Sequence, residues 1–317
     1  MFALPHKPPI DEEYPGYVWG QLRFFSIRTI VHAVKNEHDD MTKPADGIII
    51  EAGRHSAHYW KDLWRYRELF LFLSWRDILV RYKQTVIGIA WSVVRPVLTM
   101  IVFTIVFGKF AKFPSEGGAP YAVMVFAALL PWQLFANAVQ QTSTSLVRNT
   151  AMISKIYFPR LIIPSSTVIV GLIDFMISFA ILIVLMIGYR YSPNWRILVL
   201  PGFLLLALAT AWGAGIWLAA LNVKYRDFRY IVPFMVQFGI YISPVGFSSK
   251  LVPDKYRMVY SLNPMVGVID GFRWALLGGK NALYIPGFLL SVGLTMVLLW
   301  AGVHYFRKVE RTFADVI

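Results

Sequence analysis

Apolar and polar positions alternate along this chain in long blocks. Six apolar blocks approach or exceed the roughly 20 residues that a helix needs to cross hydrocarbon. They are 87–107, 121–142, 163–187, 197–221, 230–248 and 284–306. The polar segments between them are short, and some blocks exceed one crossing, so tilt or kinks are expected. Upstream, residues 1–58 are polar and proline-bearing, with a strand-like piece at Gly47–Glu51. Downstream, 307–317 is a short tail of mixed charge. The pattern predicts an all-α polytopic membrane protein with six transmembrane helices.

Two segments break the simple alternation. In 59–83, Trp60, Trp64, Trp75 and Tyr82 are interleaved with Arg76, Arg81, Lys83 and other charges, and apolar spacings of three and four recur. Asp77 precedes Arg81 by one turn, an order that stabilises a helix. Aromatic rings beside cations suit an amphipathic helix lying in the membrane interface. A partner-binding helix in the cytoplasm is the alternative. The second segment is 256–278. Its uncharged core, Met258–Ile269, is too short to cross, and Pro264, Gly267 and Gly271 permit a reversal. It reads as a re-entrant helical hairpin, with a plain loop as the alternative.

Composition agrees with the membrane reading. The chain of 317 residues is 57% hydrophobic and 15% charged, against about a quarter charged in soluble domains. The formal charge of +13 fits basic cytoplasmic loops better than nucleic-acid binding. If the N-terminus is inside, 21 of the 31 Lys and Arg residues fall on the cytoplasmic side, nine fall outside, and Arg95 lies within a span. Both termini are therefore expected in the cytoplasm, with 256–278 on the outer face. No apolar leader precedes residue 58, so no cleavable signal is expected.

Little in the sequence suggests catalysis within the chain. Without cysteine there is no thiolate metal site or thiol nucleophile. Gly278-Gly279-Lys280 lacks the upstream glycine and the hydroxyl residue of a phosphate-binding loop. His55 and His58 have helical metal spacing but no third ligand nearby, so no metal is expected. Asp174 and Arg95 lie inside spans, where charge is costly unless paired or hydrated. A structural role is favoured over an ion relay, and Arg95 is close enough to the span's start to snorkel or meet a lipid phosphate. Trp132, Phe135, Tyr230, Phe234, Phe238 and Tyr241 could stack against sugar rings along a glycan pathway. Packing and interfacial belts are the alternative for each.

Five stretches, in this order and spacing, carry a resemblance: RELFLFLSWRDILVRYKQTVIGIAW (67–91), SKIYFPRLIIPSS (154–166), VKYRDFRY (223–230), SPVGF (243–247) and LNPMVGVIDGFRWALLG (262–278). Over about 48–317 the chain resembles the permease subunits of ATP-binding-cassette exporters of polysaccharide and polyol phosphate. It looks closest to the O-antigen export type, with teichoic acid, capsule and small-molecule export permeases as alternatives. A membrane enzyme acting on lipid-linked sugars is a remote one. Arg95 stands where Gln is more usual, and Gly246 where a bulkier residue is.

The resemblance implies a bacterial inner-membrane protein that pairs with a second copy of itself and with two separate ATPase subunits. Those subunits would carry the ATP and Mg; this chain would hold no cofactor. The homodimer would form a channel for a lipid-linked polysaccharide, with the first and fifth spans near the pathway. Trp60, Trp64, Trp75, Arg76, Arg81, Tyr82, Lys83 and Arg95 would belong to an interface helix and lateral gate. The connector 148–160 gains a role here. Asn149–Tyr157 is expected to be a coupling helix, with Met152, Ile153, Ile156 and Tyr157 inserted into the ATPase. Asn149 and Ser154 would lie along it, and Lys155 and Arg160 would meet acidic or phosphate groups at the cleft rim. Pro159 is expected to stop it.

Overall fold

The computed structural model describes residues 59–83, 86–192, 194–278, 283–310 and 313, without the side chains of Lys83 and residues 86–89. The strand-like piece, the two histidines and most of the tail lie outside the described residues. Among those described there is no strand.

Helices α1 (Tyr59–Arg65) and α2 (Arg67–Lys83) come first. The first span is α3 (Val86–Phe103), continued by a wider π-helical turn at Thr104–Phe110. Its close is marked by i→i−5 bonding, Ala111 N–H to the Val106 carbonyl at 2.9 Å. Gly246 explains part of this geometry. A Cβ there would lie 2.7 Å from Phe107 and 2.9 Å from Phe103, so only glycine lets the two rings seat over that backbone. The Tyr121 hydroxyl then donates to the Gly246 carbonyl.

Helix α4 (Tyr121–Arg148) is the axis of the bundle. It is buried almost continuously from Ala122 to Leu134, and packs against α3, α6, α7, α8 and α10, whose ranges follow. The connector holds only a four-residue helix, α5 (Thr150–Ile153). Next are α6 (Ile162–Gly188), α7 (Leu200–Lys224) behind a 3-10 turn at Trp195–Val199, and α8 (Phe228–Ile242). Two short helices, α9 (Asp254–Tyr260) and α10 (Pro264–Leu277), precede the long α11 (Ile285–Val309).

Among the described residues, five helical stretches are long and apolar enough to cross a membrane. The block expected to cross at 230–248 forms a helix of 15 residues ending at Ile242. Pro244 is the cause: it disfavours helical geometry at the residue before it, and Ser243 is extended at ψ 153°. The segment 256–278 holds most of α9, which begins two residues earlier at Asp254, and all of α10. Asn263 caps α10 by accepting the Met265 N–H at 3.0 Å, with Pro264 in the first turn.

Two contact types hold the long helices together. Where α7 crosses α11, a Cβ on Gly302 would stand 2.4 Å from the Gly213 carbonyl oxygen, so the backbones touch. Nearby, Thr210 and Thr295 hydroxyls bond at 2.8 Å. Where α7 meets α4, the Asn222 amide donates to the Ser143 carbonyl at 2.8 Å, and Thr142 pairs with Thr167 of α6 at 2.9 Å. Gly302→Val should force α7 from α11 and cost about 1–3 kcal/mol. The detergent-solubilised protein should melt at a lower temperature, with helix content unchanged below the transition.

Candidate functional site

The connector between α4 and α6 closes one end of the bundle. Its helix is shorter than expected: after Ile153 the chain runs through turns to Arg160, so Pro159 is not what stops it. Ile153 is 8% exposed and packs with Leu146, Phe158 and Ile216. Its side chain belongs to the core of this chain, and Met152 is half-buried against the same core. The exposed tip comprises Ser154, Lys155, Ile156 and Tyr157, with Ile156 at 58% and Tyr157 at 77%.

Both ends of the connector are tied down within the chain. Asn149 accepts a hydrogen bond from the Arg76 guanidinium at 3.1 Å, and Arg76 also binds Asp77 at 2.8 Å. At the other end, the Arg160 N–H donates to a Glu310 carboxylate oxygen at 2.9 Å. The Arg160 guanidinium donates to the Glu310 carbonyl at 2.6 Å. The Tyr59 hydroxyl takes the second carboxylate oxygen at 3.2 Å. Arg160, expected at a cleft rim, is thus committed to the end of α11. Burial pushes the Glu310 carboxyl above its ordinary value, against the opposing pull of Arg160 and Tyr59. Glu310 was not singled out from the sequence; its only signal was an acid immediately after the last span.

Helix α2 is apolar on two sides, not one. Leu69, Phe70 and Leu73 pack toward the core, while Leu71, Phe72 and Trp75 are exposed, as are Trp60 and Trp64 of α1. Its far end is anchored by charge. Arg81 pairs with Asp174 of α6 at 2.7 Å, and the Tyr82 hydroxyl donates to the same carboxylate. Asp174 lies 12 residues into α6, roughly 18 Å along its axis. The acid inside the span is therefore paired, with two neighbouring residues of α2 meeting one of α6 there.

The opposite face is left open by α3 and α8. On α8, Tyr230, Phe234, Phe238 and Tyr241 form an exposed stripe, with Phe234 and Phe238 rings 4.5 Å apart. Tyr241 stacks on Phe103 of α3 at 5.9 Å, so the two helices adjoin there. Along α3, Trp91, Arg95, Leu98 and Val102 share one exposed side. The Arg95 guanidinium has no partner among the described residues. Trp132 does not join this stripe. It is buried on α4 against Gly239, where a Cβ would come within 2.6 Å of its ring, and Phe135 packs beside it at 5.6 Å. Both pack where α8 meets α4, Phe135 remaining partly exposed.

At the end away from the connector, Arg273 of α10 is fully enclosed. It donates to the Phe247 carbonyl at 2.8 Å and the Val245 carbonyl at 2.9 Å, and lies 3.6 Å from Glu116. It thereby ties α10 to the turn after α8 and to the loop before α4. Beside it, Glu116, Ser249, Arg257, Asp270 and Tyr284 line a polar cavity of about 20 Å³, room for one water. Enclosure pushes the Asp270 carboxyl up to about 6, outweighing its hydrogen bond from Ser249 and the nearby Arg273 and Arg257.

Long apolar helices around one axis, a tethered connector with an exposed tip, and an exposed aromatic face make this a multi-helix protein of membrane-spanning type. Residues 68–277 match the ABC-2 type transporter membrane family, and the chain belongs to that family. It is 26% identical over 259 residues to the O-antigen export system permease protein RfbA of Myxococcus xanthus, covering 81% of this chain and 98% of that protein. It is 26% identical over 261 residues to RfbA of Klebsiella pneumoniae, covering 79% and 95%. It is 23% identical over 247 residues to the polysialic acid transport protein KpsM of Escherichia coli, covering 76% and 92%.

Two outcomes test these ties. Arg81→Gln should cost about 3 kcal/mol, because it strands the Asp174 carboxylate, only 10% exposed. Asp174→Asn should cost less, since Arg81 can swing toward water, and the double variant should recover part of the loss in a thermal-melt cycle. For Asp270, whose carboxyl is raised from 3.8 to about 6, stability is greatest below the lower value and falls as pH rises through the upper one. Asp270→Asn should remove that fall, gaining about 2–3 kcal/mol relative to the parent near neutral pH.

Proposed function

We propose that this chain is the permease of an ATP-driven exporter moving a lipid-linked polysaccharide, of the O-antigen class, across the bacterial inner membrane. The observation that carries the reading is the α3–α8 face. Arg95, without a partner among the described residues, is costly against lipid but suits a hydrated conduit, and the exposed rings of α8 beside it offer faces on which sugars stack. A second copy of the chain covers that face and closes the conduit. The names of the relatives support the cargo, with the O-antigen permeases above the polysialic acid transport protein in identity.

In this reading the chain crosses six times, α8 and the Ser243–Phe247 turn together making the fifth crossing. The Lys and Arg bias places both termini and the connector in the cytoplasm, and α9 and α10 dip into the outer leaflet as a re-entrant hairpin. Two ATPase subunits carry ATP and Mg and receive the connector tip. Ile156 and Tyr157 supply its apolar contact, and Lys155 its charge. ATP binding acts only through the different affinities of the two ATPase states for the two permease states. The Arg76–Asn149 and Arg160–Glu310 ties pass movement of the tip to α2 and α11, and Arg81 and Tyr82 pass it to α6.

The test uses proteoliposomes holding the permease, its ATPase and a fluorescently labelled lipid-linked glycan. The double variant Lys155→Glu with Tyr157→Asp should lower ATP-dependent glycan movement roughly tenfold or more, with an unchanged melting temperature. Phe234→Ala with Phe238→Ala should lower glycan movement while permease-stimulated ATP hydrolysis persists. Movement unchanged in both variants, or surface polysaccharide unaffected by deletion of the chain, would overturn the proposal.

A further inference from the structure

A cavity on α6 lies away from the α3–α8 face. It is a half-open groove of about 360 Å³ at the end of α6 opposite the connector. This is the lower end of the range for small-molecule sites. Phe179, Leu182, Ile183 and Met186 of α6 form one wall, and Ile197 and Leu276 the other. From Phe179 to Arg190 the groove follows the helix for roughly 16 Å, about one leaflet of hydrocarbon.

Its mouth is polar. Arg190 and Ser192 are both exposed there. The Arg190 guanidinium has no hydrogen bond or ion pair among the described residues. The Tyr191 hydroxyl is already used by the Leu277 carbonyl, which fixes the rim. Arg190 also occupies a backbone position that favours glycine. Its φ is 52°, and the Tyr191 N–H closes on the Met186 carbonyl at 2.8 Å, a helix-ending turn that usually holds Gly. An arginine there gives up backbone stability and places a free cation over an apolar slot.

We propose that the groove is a binding site for one anionic glycerophospholipid of the membrane. An acyl chain fills the slot, and the phosphate meets Arg190 and Ser192 at headgroup level. The occupant is amphipathic because the site is: an apolar trough of leaflet depth, open along one side, with positive charge only at its mouth. A free phosphate leaves the trough empty, and a neutral lipid leaves Arg190 unpaired. The inference rests on membrane embedding alone and stands apart from the cargo assigned above.

The experiment is native mass spectrometry of the full chain with its ATPase, taken from nanodiscs of equal phosphatidylglycerol and phosphatidylcholine. One phosphatidylglycerol per permease chain should be retained in preference to phosphatidylcholine. Arg190→Gly should lower that preference about fivefold, the worth of one cation near a headgroup, while raising the melting temperature because glycine suits the backbone. Arg190→Lys should keep the preference. Ile183→Trp, at an exposed position in the slot, should reduce retention of both lipids. Equal retention of the two lipids by the parent protein would overturn the site. So would a preference unchanged in Arg190→Gly, retention unaffected by Ile183→Trp, or replacement of the bound phospholipid by added lipid-linked glycan.

Discussion

A helix in hydrocarbon gains no water-exclusion energy by touching another helix, so close fit and polar contact must hold the bundle. Here both are concentrated on α4 and α7. The Gly213–Gly302 crossing brings two backbones together, and Thr142, Thr167, Ser143 and Asn222 spend their polar groups across helix seams. The helices fixed in this way leave α3 and α8 loosely held on one side. Of α8, only Val232 is fully buried. The rigid part and the open part of the molecule are two results of the same allocation of contacts.

That allocation orders the functional surfaces. The connector end is dense with charge ties, since Arg76, Arg160 and Glu310 each reach another segment. The opposite end is fastened through Arg273, which holds three segments by two carbonyls and a carboxylate. Between the two ends, the α3–α8 face carries aromatic rings and Arg95, whose guanidinium has no partner among the described residues. The α3–α8 face is thereby held at its two ends, while the bundle behind it is also tied through its middle by Arg81–Asp174 and Thr210–Thr295.

The long helices were legible because length and apolarity are properties of single segments. The 15-residue α8 was misjudged in extent because the apolar run continues past Pro244, and the proline rule outranks hydropathy there. The connector was legible as a special segment but not in its facing. Ile153 and Ile156 are three apart and chemically identical, yet the first is core and the second is exposed. Only the turn after Ser154 separates them. Trp132 and Phe234 were equally aromatic in sequence, and only the packing of Gly239 distinguishes them. Glu310 and Asp174 depended on partners 150 and 92 residues away, distances at which spacing in the chain carries no information.

The meeting of Arg160 and Tyr59 on Glu310 has a mechanical consequence. Helix α11 is a rod of 25 residues, and its backbone rests on α7 at Gly302. Glu310 lies roughly 12 Å to one side of that point and Ile285 roughly 26 Å to the other. A rod pivoting there is a lever of about two to one. The Thr210–Thr295 hydrogen bond holds that long arm against α7, so a shift imposed on Arg160 at the short arm must strain this bond before it reaches the far end, where α11 meets α10.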